Sequence, residues 1–157
     1  MTTFERVTLL LLRLALGWLF LYSGVTKVLD PTWSSVGYLK GAQTLPGVYA
    51  AMTSPSVLPV IDAVNAWGQA LLGISLILGL FVRLSSVLGA VLMLLYYLPV
   101  LKFPYVAHGF LVDDHIIYGL ALLYLAAVRA GRTFGLEDWC SRLPVCARFP
   151  QYRRWLG

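Results

Sequence analysis

Charge is what this chain has least of. Only 12% of its 157 residues are Asp, Glu, Lys or Arg, against about 25% in a typical soluble domain. Cysteine and histidine are also scarce, at two residues each. These shortages exclude several chemistries. Cys140 and Cys146 are separated by neither CxxC spacing nor any four-ligand metal spacing, and both are expected to be unpaired structural thiols. His108 and His115 fall close together in sequence, so bis-histidine haem ligation across facing helices is not expected. No GxGxxG follows a strand, and neither a P-loop nor HExxH occurs. The sequence therefore offers no haem, flavin or metal site. Redox chemistry here would need a diffusible quinone or a partner subunit to carry the electrons.

What the chain has in abundance is apolar sequence, 59% of the total. The stretch from Trp67 to Leu101 contains a single charge, Arg83. As one helix it would be about 52 Å long, far more than the roughly 30 Å hydrocarbon core of a bilayer. Two spans folded back at Arg83 are the simpler arrangement. Long uninterrupted apolar runs favour helices over a barrel, whose strands alternate. The expected fold is an all-α membrane protein, a four-helix transmembrane bundle in one domain over residues 1–157. The spans are expected at about 7–29, 57–82, 84–101 and 113–128. The first run begins near Val7 and is long enough to stay in the membrane, so it does not read as a signal peptide. Short surface helices are expected in the first long connection, residues 30–56, and an amphipathic tail over 131–157.

Four spans put both termini and the Arg83 turn on one side. That side also receives Arg6 and the six arginines from Arg129 onward; Lys27, Lys40 and Lys102 fall on the other. The positive-inside rule then places both termini in the cytoplasm of a multi-pass cell-membrane protein. The basic residues read as a membrane-lipid signature rather than a nucleic-acid one, because the spans leave little soluble surface to hold a duplex. Arg13, alone in the inner half of the first span, reads as a residue snorkelling to lipid phosphate.

The outer half of the bundle is the polar half. Ser23 and Lys27 end the first span. Asp62, Asn65 and Gln69 lie at i, i+3 and i+7, on one face of the second. Tyr96 and Tyr97 end the third, and Asp113, Asp114, His115 and Tyr118 begin the fourth. Tyr96, Tyr97, Asp113 and Lys102 also read as interface anchors. Polar and ionisable groups at membrane depth default to function when they face inward. His115 with Asp114 is the candidate for proton transfer, since an imidazole titrates near neutrality. Gln69, with Tyr97, suits a quinone carbonyl, although Gln69 also reads as a helix–helix hydrogen bond. Lys27 and Lys40 would attract a small anion.

Three segments resemble the DoxX/DoxD family of small four-span membrane proteins. They are RLALGWLFLYSGVTKVLDP, WGQALLGISLILGLFVRLSSVLGAVLMLLYYL and DHIIYGLALLYLAAVRAGRTFGLEDW, together running from about Arg13 to Trp139. The most specific elements are the G-x-x-K of Gly24 to Lys27, the LGLFVR turn of Leu78 to Arg83 and the G-R-x-x-G-L-E ending of Gly131 to Glu137. YLKGA and WGQ are similar to the DoxD branch. The resemblance implies the membrane subunit of a thiosulfate:quinone oxidoreductase. It would work with a companion subunit and use quinone as co-substrate. Many members of that family carry Glu in the second span where this chain has Gln69. A non-catalytic membrane anchor or assembly subunit of a larger redox complex is the alternative. A lipid or isoprenoid carrier is a third reading.

Overall fold

The computed structural model describes residues 1–106 and 109–142. His108, Cys146 and the tail arginines Arg148, Arg153 and Arg154 lie outside them. The chain folds into helices α1 (Thr3–Leu29), α2 (Val36–Lys40), α3 (Pro46–Ala51), α4 (Leu58–Leu78) and α5 (Val82–Val100). A minimal hairpin follows, β1 (Tyr105–Val106) and β2 (Gly109–Phe110), then α6 (Asp114–Ala127), a 3-10 turn over Ala130–Arg132, and α7 (Glu137–Arg142). The two strands pair antiparallel, Tyr105 opposite Phe110 and Val106 opposite Gly109.

Three helices, α1, α4 and α5, are long and apolar enough to cross a membrane. The fourth apolar helix, α6, has 14 residues and is about 21 Å long. This is an all-α membrane protein but for that small hairpin. α1 begins earlier than its apolar run predicts, because Thr2 and Glu5 form a reciprocal capping box at its first turn. Gly79 ends α4 in the left-handed conformation, φ 68°, which glycine adopts at no steric cost. Phe81 follows with φ 56°, and α5 starts at once. Arg83 therefore stands just past the turn, as the sequence suggests.

Helices α1 and α4 pack backbone to backbone. A Cβ on Gly24 would lie 2.2 Å from the Ala70 nitrogen, and one on Gly73 would lie 2.3 Å from the Leu21 nitrogen. Small residues at such contacts are how helices associate in lipid, where no water drives them together. Helix α6 packs on α5, with Leu122 against Gly89. Phe20, Leu76, Val82, Leu122 and Leu125 fill the centre. The outward faces are apolar as well: Trp18, Val64, Trp67, Leu71, Leu94 and Leu120 are exposed, as suits a surface facing hydrocarbon.

The connection over residues 30–57 is a folded lid rather than a pair of helices lying free on the bilayer. Leu39, Ala42 and Tyr49 bury against Leu58, Ile61 and Leu98. The Gln43 amide donates to the Pro99 carbonyl at 2.8 Å, and the Thr44 hydroxyl donates to the Leu101 carbonyl at 2.6 Å. Apolar burial and capping of orphan α5 carbonyls thus hold the lid over the ends of α4 and α5.

At the opposite end, Arg13 does not snorkel to lipid. It is 1% exposed, and its guanidinium donates to the carbonyls of Ala130 (2.7 Å), Thr133 (3.0 Å) and Phe134 (3.2 Å). Backbone amides of Leu136 and Glu137 donate to the Leu78 and Gly79 carbonyls, each at 3.1 Å. A Cβ on Gly135 would strike the Gly131 and Gly79 carbonyls, and one on Gly131 would strike the Glu137 carboxylate. The LGLFVR turn and the G-R-x-x-G-L-E ending are therefore two halves of one clasp around Arg13. Nη1 and Nη2 reach the three carbonyls from the fixed plane of the guanidinium fork, a geometry that the compact ammonium of a lysine does not reproduce. Cys140 is disulfide-bonded, so the expectation of an unpaired thiol fails there.

Candidate functional site

The lysine near the end of α1 is the centre of the outer polar region. α1 and α4 run antiparallel, so the last turns of one lie beside the first turns of the other. Lys27 Nζ donates to Asn65 Oδ1 (2.8 Å), Gln69 Oε1 (2.7 Å) and Tyr96 Oη (3.1 Å). An ammonium has three hydrogens and no acceptor, so each hydrogen has one partner. Because the ammonium can only donate, it fixes the Gln69 amide with its oxygen inward. Gln69 Oε1 also accepts from the Ser23 hydroxyl at 3.0 Å, and Gln69 Nε2 donates to Tyr96 Oη at 3.0 Å. The Tyr96 hydroxyl donates onward to Asn65 Oδ1 at 2.7 Å. The ring of bonds closes on itself.

Its electrostatics are lopsided. Gln69 is 2% exposed, and the partners of Lys27 are all neutral. Among the described residues no carboxylate pairs with Lys27. Aromatic faces take the place of a counter-ion: Nζ lies 4.9 Å from the Trp33 ring centroid and 5.4 Å from that of Tyr96, both within cation–π range. Trp33 belongs to the lid. The lid is tied down beside it by Asp62, whose carboxylate accepts from the Ser34 hydroxyl (2.8 Å) and the Ser35 amide (2.9 Å).

The structure thus gathers Ser23, Lys27, Asn65 and Gln69 and separates the remaining candidates. Asp62 fastens the lid. Lys40 is exposed at the end of α2 and is not among the hydrogen-bond partners of the cage. Tyr97 turns away from Gln69 and donates to the Leu111 carbonyl at 2.6 Å. The tyrosine that meets Gln69 is its neighbour Tyr96. Successive helical residues point about 100° apart, so the two cannot share one direction. Tyr118 packs half-buried against the helical core.

His115 finds a different acid from the one the sequence suggests. Its Nδ1 lies 2.7 Å from Asp113 Oδ2, whereas Asp114 is exposed. Asp113 is the N-cap of α6, its other oxygen accepting from the Ile116 amide at 3.3 Å. A capping residue is held in extended geometry with its side chain folded over the first turn, which brings it to the histidine. His115 adjoins the cage through Tyr96, ring edge to ring face, with centroids 6.1 Å apart. Asp113, Asp114 and His115 could bring one ligand atom each within 4.8 Å of one another. Two of these three come from the first turn of α6 and Asp114 faces solvent, so the geometry alone does not make a metal centre.

Tyr38 of α2 also packs against Tyr96, with ring centroids 5.7 Å apart and its hydroxyl donating to the Tyr96 carbonyl. Burial, with Tyr96 and Tyr49 close by, raises the Tyr38 phenol above its ordinary range. Sequence reasoning gave two members of the site no role in it: Tyr96, which also reads as an interface anchor, and Trp33, in the first long connection. Nothing in their spacing separates those roles, because Trp33 reaches Lys27 only through the path of the lid.

Comparison with known proteins supports one assignment. No curated protein and no solved structure matches the chain. The DoxX family model matches residues 8–102, which includes most of α1, the lid, α4, α5 and every residue of the lysine cage. The chain belongs to the DoxX family.

Proposed function

We propose that this protein is the four-span membrane subunit of a quinone-linked oxidoreductase of the thiosulfate:quinone type, with both termini in the cytoplasm. The observation that carries the reading is the Lys27 cage, a cation held at membrane depth by neutral oxygens alone. Two thiosulfate dianions would join through a new S–S bond as tetrathionate. The two electrons released, with two protons, would reduce quinone to quinol. Lys27 attracts the dianion. Gln69 and Tyr96, rather than Tyr97, offer hydrogen bonds to the quinone head. His115 with Asp113, rather than Asp114, accepts and passes protons. Another small sulfur or thiol donor would fit the same charge logic. In this reading α6 is the fourth span, completed by its flanking residues and local bilayer thinning, which costs little per ångström. A second subunit completes the enzyme. The test is reduction of a quinone analogue by thiosulfate with the purified membrane protein and its co-purifying partner. Unchanged turnover in Lys27→Ala and His115→Ala removes the assignment.

One observation favours a non-catalytic anchor instead. All three hydrogens of the Lys27 ammonium are already committed, so a ligand must displace a partner. A stoichiometric partner in a native pull-down, retaining full turnover when Lys27 is replaced, establishes that reading.

A further inference from the structure

The end of the molecule opposite the lysine cage carries a second polar site, independent of the redox reading. Met1, Arg6, Arg132, Thr133 and Phe134 line a cleft of about 450 Å³ there. The charged side chains among its described lining residues are both arginines. Its two guanidiniums come from the first turns of α1 and from the turn after α6, and Arg13 is the reason they meet. Arg6 and Arg13 stand at i and i+7, on one face of α1. By drawing in the carbonyls of Ala130, Thr133 and Phe134, Arg13 folds the turn against that face, and Arg132 arrives at the rim beside Arg6.

A second observation points the same way. Phe134 has φ 53°, in the left-handed region that a bulky side chain seldom enters. Such a conformation persists only where its surroundings over-determine it, and here Arg13 holds the Phe134 carbonyl. The result is an aromatic ring 64% exposed at the mouth of a cleft rimmed by two arginines. Phe4, in the first turn of α1, is 80% exposed as well. Aromatic rings beside basic side chains are the composition of a membrane–water interface. This end is where the apolar helices α1, α4 and α5 stop, which is the depth of the lipid headgroups. Among the described residues, the basic side chains are also sorted by type. Arg6, Arg83, Arg129 and Arg132 gather here, while Lys27, Lys40 and Lys102 belong to the other end.

We infer that this cleft binds the phosphate headgroup of an anionic membrane lipid. Arg6 and Arg132 form a two-armed clamp on the phosphate oxygens, and Phe134 rests against the start of the acyl chains. The planar guanidinium fork matches phosphate geometry in a way an ammonium does not. Two guanidiniums at the rim of one cleft favour a lipid of net negative charge over a zwitterionic one.

The test is native mass spectrometry of the full chain in detergent, with phosphatidylglycerol or phosphatidylcholine of equal acyl length titrated in. The wild type is expected to retain phosphatidylglycerol over phosphatidylcholine by roughly tenfold, since each basic residue near an anionic surface contributes a several-fold preference. Arg6→Gln and Arg132→Gln are each expected to reduce that ratio several-fold, and the double variant to abolish it. Arg6 makes no side-chain bond to another described residue, so its variant tests the site without disturbing the clasp. Lys102→Gln, at the opposite end, is expected to leave the ratio unchanged. Equal retention of the two lipids by the wild type overturns the inference, as does an undiminished preference in Arg6→Gln. Displacement of phosphatidylglycerol by millimolar inorganic phosphate also overturns it, because the cleft would then be a site for a free anion.

Discussion

Lys27 Nζ and Gln69 Oε1 are 2.7 Å apart, a cation against a neutral amide where a carboxylate would make an ion pair. Gln69→Glu supplies that carboxylate. The variant is expected to be at least as stable as the wild type, since opposite charges at this depth pair strongly. It is expected to lose thiosulfate-dependent quinone reduction by at least tenfold, because the field that attracts an anion is cancelled. Turnover measured across a range of ionic strengths checks this. A Gln69→Glu protein with full activity and undiminished salt sensitivity would mean that the uncompensated charge of Lys27 does not recruit substrate.

The clasp around Arg13 makes a separate prediction about stability. Arg13→Ala leaves three carbonyls without their donor and removes a positive charge near Glu137. The expected loss is about 3 kcal/mol, read from unfolding in mixed detergent micelles. Arg13→Lys keeps the charge but not the fork, so it is expected to recover less than half. Gly135→Ala is expected to be as damaging as Arg13→Ala, because its Cβ would lie 2.1 Å from the Gly131 carbonyl oxygen. If Arg13→Ala unfolds like the wild type, the three bonds contribute nothing that lipid or water cannot replace.

Tyr38 gives the lid a pH dependence. Burial holds its phenol above the ordinary range in the folded protein, and an unfolded tyrosine titrates near 10. A group whose folded value is raised contributes stability that is complete below the unfolded value and is lost as pH rises towards the folded one. The lid is therefore expected to hold through neutral pH and to loosen only above about pH 10. Phenolate absorbance, taken as the difference between wild type and Tyr38→Phe, is expected to appear later than that of a free phenol. A difference spectrum titrating at or below the free value would show Tyr38 in open solvent.

How much of this was legible in the sequence depends on how local each signal is. The three long apolar helices were legible because apolar length and Arg83 are local facts, and their ends moved most where caps intervened, at Thr2 and Gly79. Ser23, Lys27, Asn65 and Gln69 were legible as a group because helical spacing and antiparallel packing fix their level and their face. Tyr96 against Tyr97 was not. Choosing between adjacent residues requires the rotation of α5, which the packing of Gly89 on Leu122 sets. Arg13 was misread for a similar reason. A lone arginine in a span looks like a snorkelling residue until the turn after α6 brings three carbonyls to it.

Asp113 and Asp114 sharpen the same point into an experiment. As the N-cap of α6, Asp113 presents one oxygen to the Ile116 amide and the other to His115 Nδ1. Asn at this position still caps, because its carbonyl oxygen can accept from Ile116, so the expected change in stability is under about 1 kcal/mol. The remaining amide group, however, donates where the carboxylate accepted. It would turn the imidazole to the opposite tautomer, a change that disables a histidine base without moving it. Asp113→Asn is therefore expected to fold normally and to lose quinone reduction by about a hundredfold, with the His115 ring-nitrogen resonances exchanging character. Asp114→Asn, on the exposed side of the same turn, is expected to change neither. Equal effects from the two substitutions would show that acidity at the start of α6 matters only as charge near a helix end, and that His115 is a packing residue.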